Sequence, residues 1–345
     1  MNERVERLRG SLLEPLLVSA SANVRYLSGL VSSNAALLVE PERVRLFTDF
    51  RYAETAREME GVEVELIKRN LYANLAELLT GRIGFEASAL SYASWETLAR
   101  GSLELVPRHG LVESLRAVKD DRELRAIRTA AAITNRMYEQ LAAEQFVGRT
   151  ERELAWRIEV LFQELGAEEE AFSATVAAGE NGARPHTEPG DRVIQPGQTV
   201  VVDAGCVIDG YCSDCTRTFA TGPLPARLAE AYEVCLSAQD EALAAVRADA
   251  RGEDVDAVAR SRIAAAGLGD AFGHGLGHGV GLLVHEDPRL APESESVLAA
   301  GNVVTVEPGI YLSGLGGIRI EDLVVVTDSA PEVLTTFPKE LTTVH

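Results

Sequence analysis

An α/β domain followed by an α+β domain is the fold class this 345-residue sequence predicts. Three observations predict it. Over the first third, short β-rich runs alternate with helical stretches, which is the pattern of an α/β layer. From Leu111 the periodicity turns helical and charged, and further on strands gather around hairpin and glycine signals. The length suits about two domains, and a 46% hydrophobic content is enough for a large core.

In the first part, Leu16–Ser19, Ala35–Val39, Val44–Thr48, Val62–Leu66, Arg82–Phe85 and Leu103–Val106 read as strands. Between them Ala22–Leu27, Arg51–Met59, Leu71–Leu79 and Ser91–Ala99 read as helices. No dinucleotide or phosphate loop is present in this part. The stretch Val112–Leu124 leads into an Ala-rich helix expected to reach about Glu144, and Thr150-Glu151-Arg152-Glu153 opens another with a capping-box pattern. The boundary falls within 111–120 and is drawn as domains 1–115 and 116–345. No Gly/Ser linker marks it.

Further along, a strand is expected near Ser173–Ala177 and helices over Ala226–Ala248 and Val255–Ala266. Thr199–Gly205 and Tyr211–Phe219 are β-rich runs joined by Asp209-Gly210, a pair suited to the positive φ angles of a tight primed turn. With those two residues as the loop, 208 pairs with 211 and 203 with 216. Asp203 and Asp214 then become diagonal neighbours on one face. Two carboxylates crowded on an apolar surface raise each other's pKa or recruit a cation.

The charge balance narrows the function. A net charge of −20 disfavours nucleic-acid or anionic-membrane binding, which needs a basic footprint. No apolar run approaches the roughly 20 residues of a membrane span, and the charged opening Met1-Asn2-Glu3-Arg4-Val5-Glu6-Arg7 lacks a signal-peptide core. A soluble, cytoplasmic protein is expected. Cys206, Cys212, Cys215 and Cys235 are too few and too clustered for a secreted disulfide framework. Cys212 and Cys215 form a Cys-x-x-Cys, but no second Cys/His pair at zinc spacing accompanies it.

Chemistry concentrates in four further places. The run Phe272–Glu286 places His274, His278 and His285 among glycines, which exclude a regular helix and permit close backbone approach. His274 and His278, four apart, fall on one side in either regular conformation. Val303–Val306 carries Glu307 at its end, stopped by Pro308-Gly309. Gly317–Val326 buries Glu321 in a strand face, with Arg319 on the same side. Glu321 then either pairs with Arg319 or binds metal while Arg319 steadies the neighbouring carboxylates. His186 stands in Ala183-Arg184-Pro185-His186-Thr187, whereas His109 reads as a surface residue and His345 as a disordered end.

Together Asp203, Asp214, His278, Glu307 and Glu321 offer four carboxylates and one imidazole. That set is enough for two divalent ions sharing bridging acids, and it suits manganese, cobalt or zinc. Such a pair activates a water and polarises a carbonyl. Amide hydrolysis is the chemistry this implies.

These motifs, in this order, resemble the pita-bread metallopeptidases, specifically the Xaa-Pro dipeptidase (prolidase) and Xaa-Pro aminopeptidase branch. Asn23–Gly29 and Thr48–Tyr52 resemble the creatinase-type N-terminal domain, and 120–345 the pita-bread catalytic domain. The resemblance implies that Asp203 chelates one metal, His278 and Glu307 hold the other, and Asp214 and Glu321 bridge. It implies that His285 stabilises charge on the scissile carbonyl, that His186 orients the proline side, and that His274 lines the site. Glu307 would also relay a proton to the leaving imide nitrogen. Arg289 matches the arginine that binds the carboxylate of a C-terminal proline, and Arg319 counts with the substrate-facing groups. The Cys212/Cys215 pair flanking Asp214 departs from the family pattern and suggests sensitivity to oxidation. The resemblance further implies a homodimer acting on proline-containing dipeptides or short peptides. Three alternatives stay open: an Xaa-Pro aminopeptidase, a creatinase-like hydrolase, and a metal-free pita-bread binding module.

Overall fold

The computed structural model describes residues 3–345; Met1 and Asn2, where the expected charged opening begins, lie outside the described residues. The chain divides into two compact units, Met1–Arg116 and Ala117–His345.

In the first unit, α1 (Glu3–Arg9) precedes β1 (Leu16–Val18), α2 (Ser21–Ser28), β2 (Ala35–Val39) and β3 (Val44–Thr48). Then come α3 (Ala53–Arg57), β4 (Glu63–Leu66), α4 (Leu71–Leu78), β5 (Thr80–Glu86), α5 (Tyr92–Ala99) and β6 (Ser102–Arg108). The strands form one mixed sheet in the order β4-β3-β2-β1-β5-β6. Its central strands β1 and β2 are buried along their whole length, as continuous apolar runs between two covered faces should be. The strands and helices expected here all form, with shifts of one or two residues at most ends.

After α6 (Glu113–Ala117), the second unit holds α7 (Asp121–Leu141), α8 (Glu151–Leu165), β7 (Glu169–Glu170) and β8 (Thr175–Ala178). The expected Ala-rich helix starts at Asp121, and a break at 118–120 separates it from α6. There the Asp120 side chain accepts from the Arg122 and Glu123 amides, and Glu123 returns a bond to the Asp120 amide. Two acids three apart stop one helix and start another, a signal the helical periodicity masked. The Thr150 capping box forms as read.

Next follow β9 (Thr199–Asp203), β10 (Cys206–Ile208), β11 (Tyr211–Cys212), β12 (Thr216–Ala220), α9 (Ala226–Ala245) and α10 (Gly252–Ala265). The chain closes with β13 (Gly277–Gly279), β14 (Glu286–Leu290), β15 (Val303–Val306), β16 (Gly309–Leu312), β17 (Gly316–Arg319), β18 (Asp322–Val325) and β19 (Glu332–Val333). Two helix pairs cover two sets of strands. Met137, Tyr138, Leu154 and Ile158 of α7 and α8 pack on Val200 and Val202. Tyr232, Cys235, Val255 and Ile263 of α9 and α10 pack on Val304, Val306, Ile318 and Ile320. His345, expected to be disordered, is ordered: its carbonyl accepts from the Val147 amide at 3.2 Å.

Candidate metal centre and its cleft

The hairpin of the site is set by its turn. Asp209 and Gly210 adopt φ of 51° and 77°, the primed geometry expected of Asp-Gly. Val207 pairs with Cys212 and Ile208 with Tyr211, and the same register returns where Asp203 faces Thr216. The ladder is irregular over 204–205 and 213–215, so the two halves of the hairpin serve different sheets. Asp214 projects from that irregular stretch and Asp203 ends β9. Their carboxylates and that of Glu321 come within 4.8 Å of one another, ligand atom to ligand atom.

Glu321 departs from its expected place. Rather than lying in a strand face, it occupies the junction between β17 and β18, strands of two different sheets. Its amide donates to the Thr216 carbonyl at 3.1 Å and its Oε2 accepts from the Thr216 hydroxyl at 2.8 Å. Nor does it pair with Arg319. That guanidinium, which is buried, donates Nη2 to Asp203 Oδ2 at 2.6 Å, Nε to Thr216 Oγ1 at 3.0 Å and Nη1 to the Tyr311 hydroxyl at 3.2 Å. Ile320 and Glu321 belong to no strand and carry the chain from one sheet to another, so the two-residue period of a single strand does not apply across them.

Glu307 follows β15, and His278 sits on β13. His278 Nδ1 lies 3.1 Å from the Gly279 carbonyl, which turns Nε2 toward the acids. Nε2 is 3.2 Å from Glu307 Oε1 and 3.7 Å from Asp214 Oδ2. Thr305 Oγ1 donates to Glu307 Oε1 at 3.1 Å and accepts from the His278 amide. The glycines flanking His278 admit neighbouring strands rather than a ligand. A Cβ on Gly277 would collide with the Thr305 carbonyl, and one on Gly279 with that of Asp287.

Electrostatics divide the acids. Burial, with Glu321 and Asp203 alongside, pushes the Asp214 carboxyl well above the usual range. Burial and then Glu307 do the same to Glu321, and burial raises Asp203 against the pull of Arg319. Burial also acts upward on Glu307, but the hydrogen bond and charge of His278 prevail and hold it low. His278 is raised in turn because Glu307 outweighs its own burial. Among the buried carboxylate oxygens of the described residues, Asp203 Oδ1 and Glu321 Oε1 have no hydrogen-bond partner. An unpaired buried acceptor costs about 1–3 kcal/mol. Two of them, belonging to the same three-acid cluster as Asp214, fit a cationic ligand better than any side chain present.

A cleft of about 390 Å³ opens over this cluster and also reaches His186, His274, His285 and Arg289. Every residue expected in the site lines it except Glu321, which lies behind. The rings of His278 and His285 are 4.3 Å apart. Burial, followed by His278, holds the His285 imidazole below its ordinary pKa, so it is neutral near pH 7. Arg289 faces His278 across β13 and β14 and is exposed. His186 lies on the irregular segment after Ala183, and Glu151 of α8 staples that segment at both ends. The Glu151 carboxylate is fully buried and accepts from the Ala178 amide at 2.8 Å, the Asn181 side chain at 3.0 Å and the Gly190 amide at 3.1 Å.

Tyr311 was not singled out from the sequence. Its hydroxyl joins His274 Nε2 at 2.9 Å to Arg319 Nη1. A Cβ at Gly309 would fall on the Tyr311 ring, whereas one at Gly317 would collide first with the Gly182 carbonyl and also approach that ring. Glycines two before it and opposite it across a hairpin were the available signal. The Cys212 and Cys215 thiols are buried. Burial, then Asp214, pushes Cys212 up to about 12, and the metal-capable cluster found among the described residues contains no cysteine.

Known proteins resemble both parts of the chain. Residues 125–328 match metallopeptidase family M24 and residues 4–118 match the creatinase/prolidase N-terminal domain. The chain is 33% identical to an Xaa-Pro dipeptidase of Pyrococcus horikoshii over 99% of both chains. Among solved structures, it is similar to an Xaa-Pro dipeptidase from Bacillus anthracis, with a TM-score of 0.95 and 35% identity over 99% of both chains. An X-Pro aminopeptidase from Thermotoga maritima gives a TM-score of 0.88 and 34% identity, over 99% of this chain and 100% of that one.

Proposed function

The chain belongs to metallopeptidase family M24, with a creatinase-type domain ahead of the catalytic one, and we propose that it is a two-metal Xaa-Pro dipeptidase. Asp203, Asp214, His278, Glu307 and Glu321 would hold the ions, with manganese, cobalt or zinc suited to four carboxylates and one imidazole. When bound, such ions acidify a water and polarise a carbonyl at neutral pH. The observation that carries this reading is the pair of partnerless buried oxygens on Asp203 and Glu321.

The remaining residues bind and orient. Arg289 takes the free carboxylate of a C-terminal proline through two parallel bonds; among the described residues no carboxylate pairs with it. His285, neutral, donates an N–H to the developing oxyanion. His186 orients the proline side, and His274 with Tyr311 closes the far wall. Glu307, kept ionised by His278, takes a proton from the attacking water and passes it to the imide nitrogen. Arg319 fixes Asp203 from behind. We assign 1–115 and 116–345 as the two domains and a cytoplasmic homodimer as the working form. The family resemblance supports the division and the homodimer. Among the described residues no helix is long and apolar enough to cross a membrane.

The aminopeptidase reading has the same chemistry, and the similar Thermotoga maritima protein bears that name. Arg289 in the cleft favours dipeptides. Steady-state rates on Xaa-Pro and Xaa-Pro-Yaa peptides, after chelation and after return of each divalent ion, test the proposal. Higher kcat/KM on dipeptides, abolished by chelation and restored by an ion, is expected. Equal efficiency on tripeptides overturns the dipeptidase reading, and chelator-resistant turnover overturns the metal.

A further inference from the structure

His274 hangs on a segment with little regular support. Residues 272–276 belong to no strand, and Gly273 and Gly275 on either side of His274 give the backbone wide freedom. Two side chains one turn apart on α10 supply what a neighbouring strand would. Asp256 is 1% exposed, and its carboxylate grips Arg260 through two parallel bonds, Oδ2 to Nε and Oδ1 to Nη2, each 2.8 Å. Arg260 then donates Nη1 to the Phe272 carbonyl at 3.1 Å and Nη2 to the His274 carbonyl at 2.8 Å. Asp256 Oδ1 accepts from the Leu276 amide at 3.0 Å. The guanidinium also lies 4.4 Å over the Phe272 ring, and that ring meets His274 edge-on at 5.1 Å.

Residues 272, 274 and 276 are alternate positions, and the fork bonds one backbone group at each of them. On the other side the His274 ring is held by its own turn and the cleft, with Nδ1 2.8 Å from the Gly275 carbonyl and Nε2 2.9 Å from the Tyr311 hydroxyl.

We propose that Asp256 and Arg260 are positioning residues for His274, fixing the backbone from which its ring reaches Tyr311 and the cleft. Neither touches substrate in this assignment; each acts through His274. A lysine at 260 keeps the charge but, with three donors on one nitrogen, cannot reproduce the four bonds that the planar guanidinium makes. The kinetic part of the test rests on the dipeptidase reading above, whereas the spectroscopic part does not.

The experiment is a double-mutant cycle on the full-length metal-loaded protein with an Xaa-Pro dipeptide. Arg260→Ala is expected to lower kcat/KM about tenfold in the parent and less than about twofold in a His274→Ala background, since residues acting as one unit are not additive. Arg260→Lys should recover only part of the loss. In protein labelled with 15N-histidine, Arg260→Lys and Asp256→Asn should shift the His274 ring nitrogens and leave those of His186 unmoved. Equal losses in both backgrounds overturn the proposal. So do unshifted His274 resonances in both milder variants, even if the protein has no Xaa-Pro activity. A parent without dipeptidase activity whose His274 signals still shift refutes the reading of the reaction and keeps the clamp.

Discussion

The two walls of the cleft are built differently. On the acid wall, Asp203 ends a strand paired on both sides, with Thr175 and with Thr216, and Glu307 follows a strand paired along its length with β18. On the histidine wall, His186 and His274 stand on irregular segments and His285 immediately before β14. Side chains hold these positions. Glu151 staples the His186 segment, the Asp256–Arg260 fork the His274 segment, and the buried Lys119–Glu286 pair, 2.8 Å apart, the residue next to His285. Backbone ladders lead up to Asp203, His278 and Glu307, while Asp214 and Glu321 stand on irregular stretches between ladders. Side-chain clamps hold the segments that carry the groups we propose to face substrate.

The comparison breaks most decisively on the acid wall. Asp214→Asn and Glu321→Gln are each expected to lose bound metal and at least about a thousandfold of activity while keeping the fold, because each removes a charge the cation needs. Elemental analysis and turnover read this directly. Full activity in either variant would mean the wall has another purpose.

On the opposite wall the effects should be smaller and should fall on binding. Arg289→Ala is expected to raise KM for dipeptides about tenfold or more with little change in kcat, the loss of one charge-assisted pair. Tripeptides, whose carboxylate lies elsewhere, should be nearly unaffected. A uniform drop in kcat on both substrates would place Arg289 in the chemistry instead. Glu151→Ala strands the buried Ala178 amide and frees the ends of the His186 segment. A stability loss of about 2 kcal/mol in urea is expected, with faster hydrogen exchange over 179–190 than over 199–203.

The smallest effect concerns pH. Without ions, Asp203, Asp214 and Glu321 have folded pKa values above their unfolded ones. The folded state then binds more protons than the unfolded state once pH exceeds about 4, so their contribution declines as pH rises toward the folded pKa values. The melting temperature of chelator-treated protein should fall between pH 5 and 8, and a saturating divalent ion should flatten that slope. A slope unaltered by the ion would separate these acids from the metal.

The acid wall was the more legible in the sequence. Asp209-Gly210 fixed the turn, the turn fixed the register, and the register put Asp203 beside Asp214. Period-two reasoning failed at Glu321, where the chain crosses between sheets and Arg319 turns to Asp203 instead. Tyr311, Asp256 and Arg260 went unread because their roles lie in contacts with segments far along the chain. An aspartate and an arginine four apart on a helix look like any solvent-facing pair. The break at 118–120 escaped for the opposite reason, since its capping signal was local but hidden inside a helical period.

The shared register of β9–β12 and β10–β11 also constrains how this protein can diverge. Adding or deleting one residue between 204 and 208 without a matching change between 211 and 215 would break the pairing that brings Asp203 and Asp214 together. Length variation in that hairpin is therefore confined to compensated pairs or to the tip. Insertions on the histidine side carry no such parity rule, so length can vary there while the acid wall keeps its register.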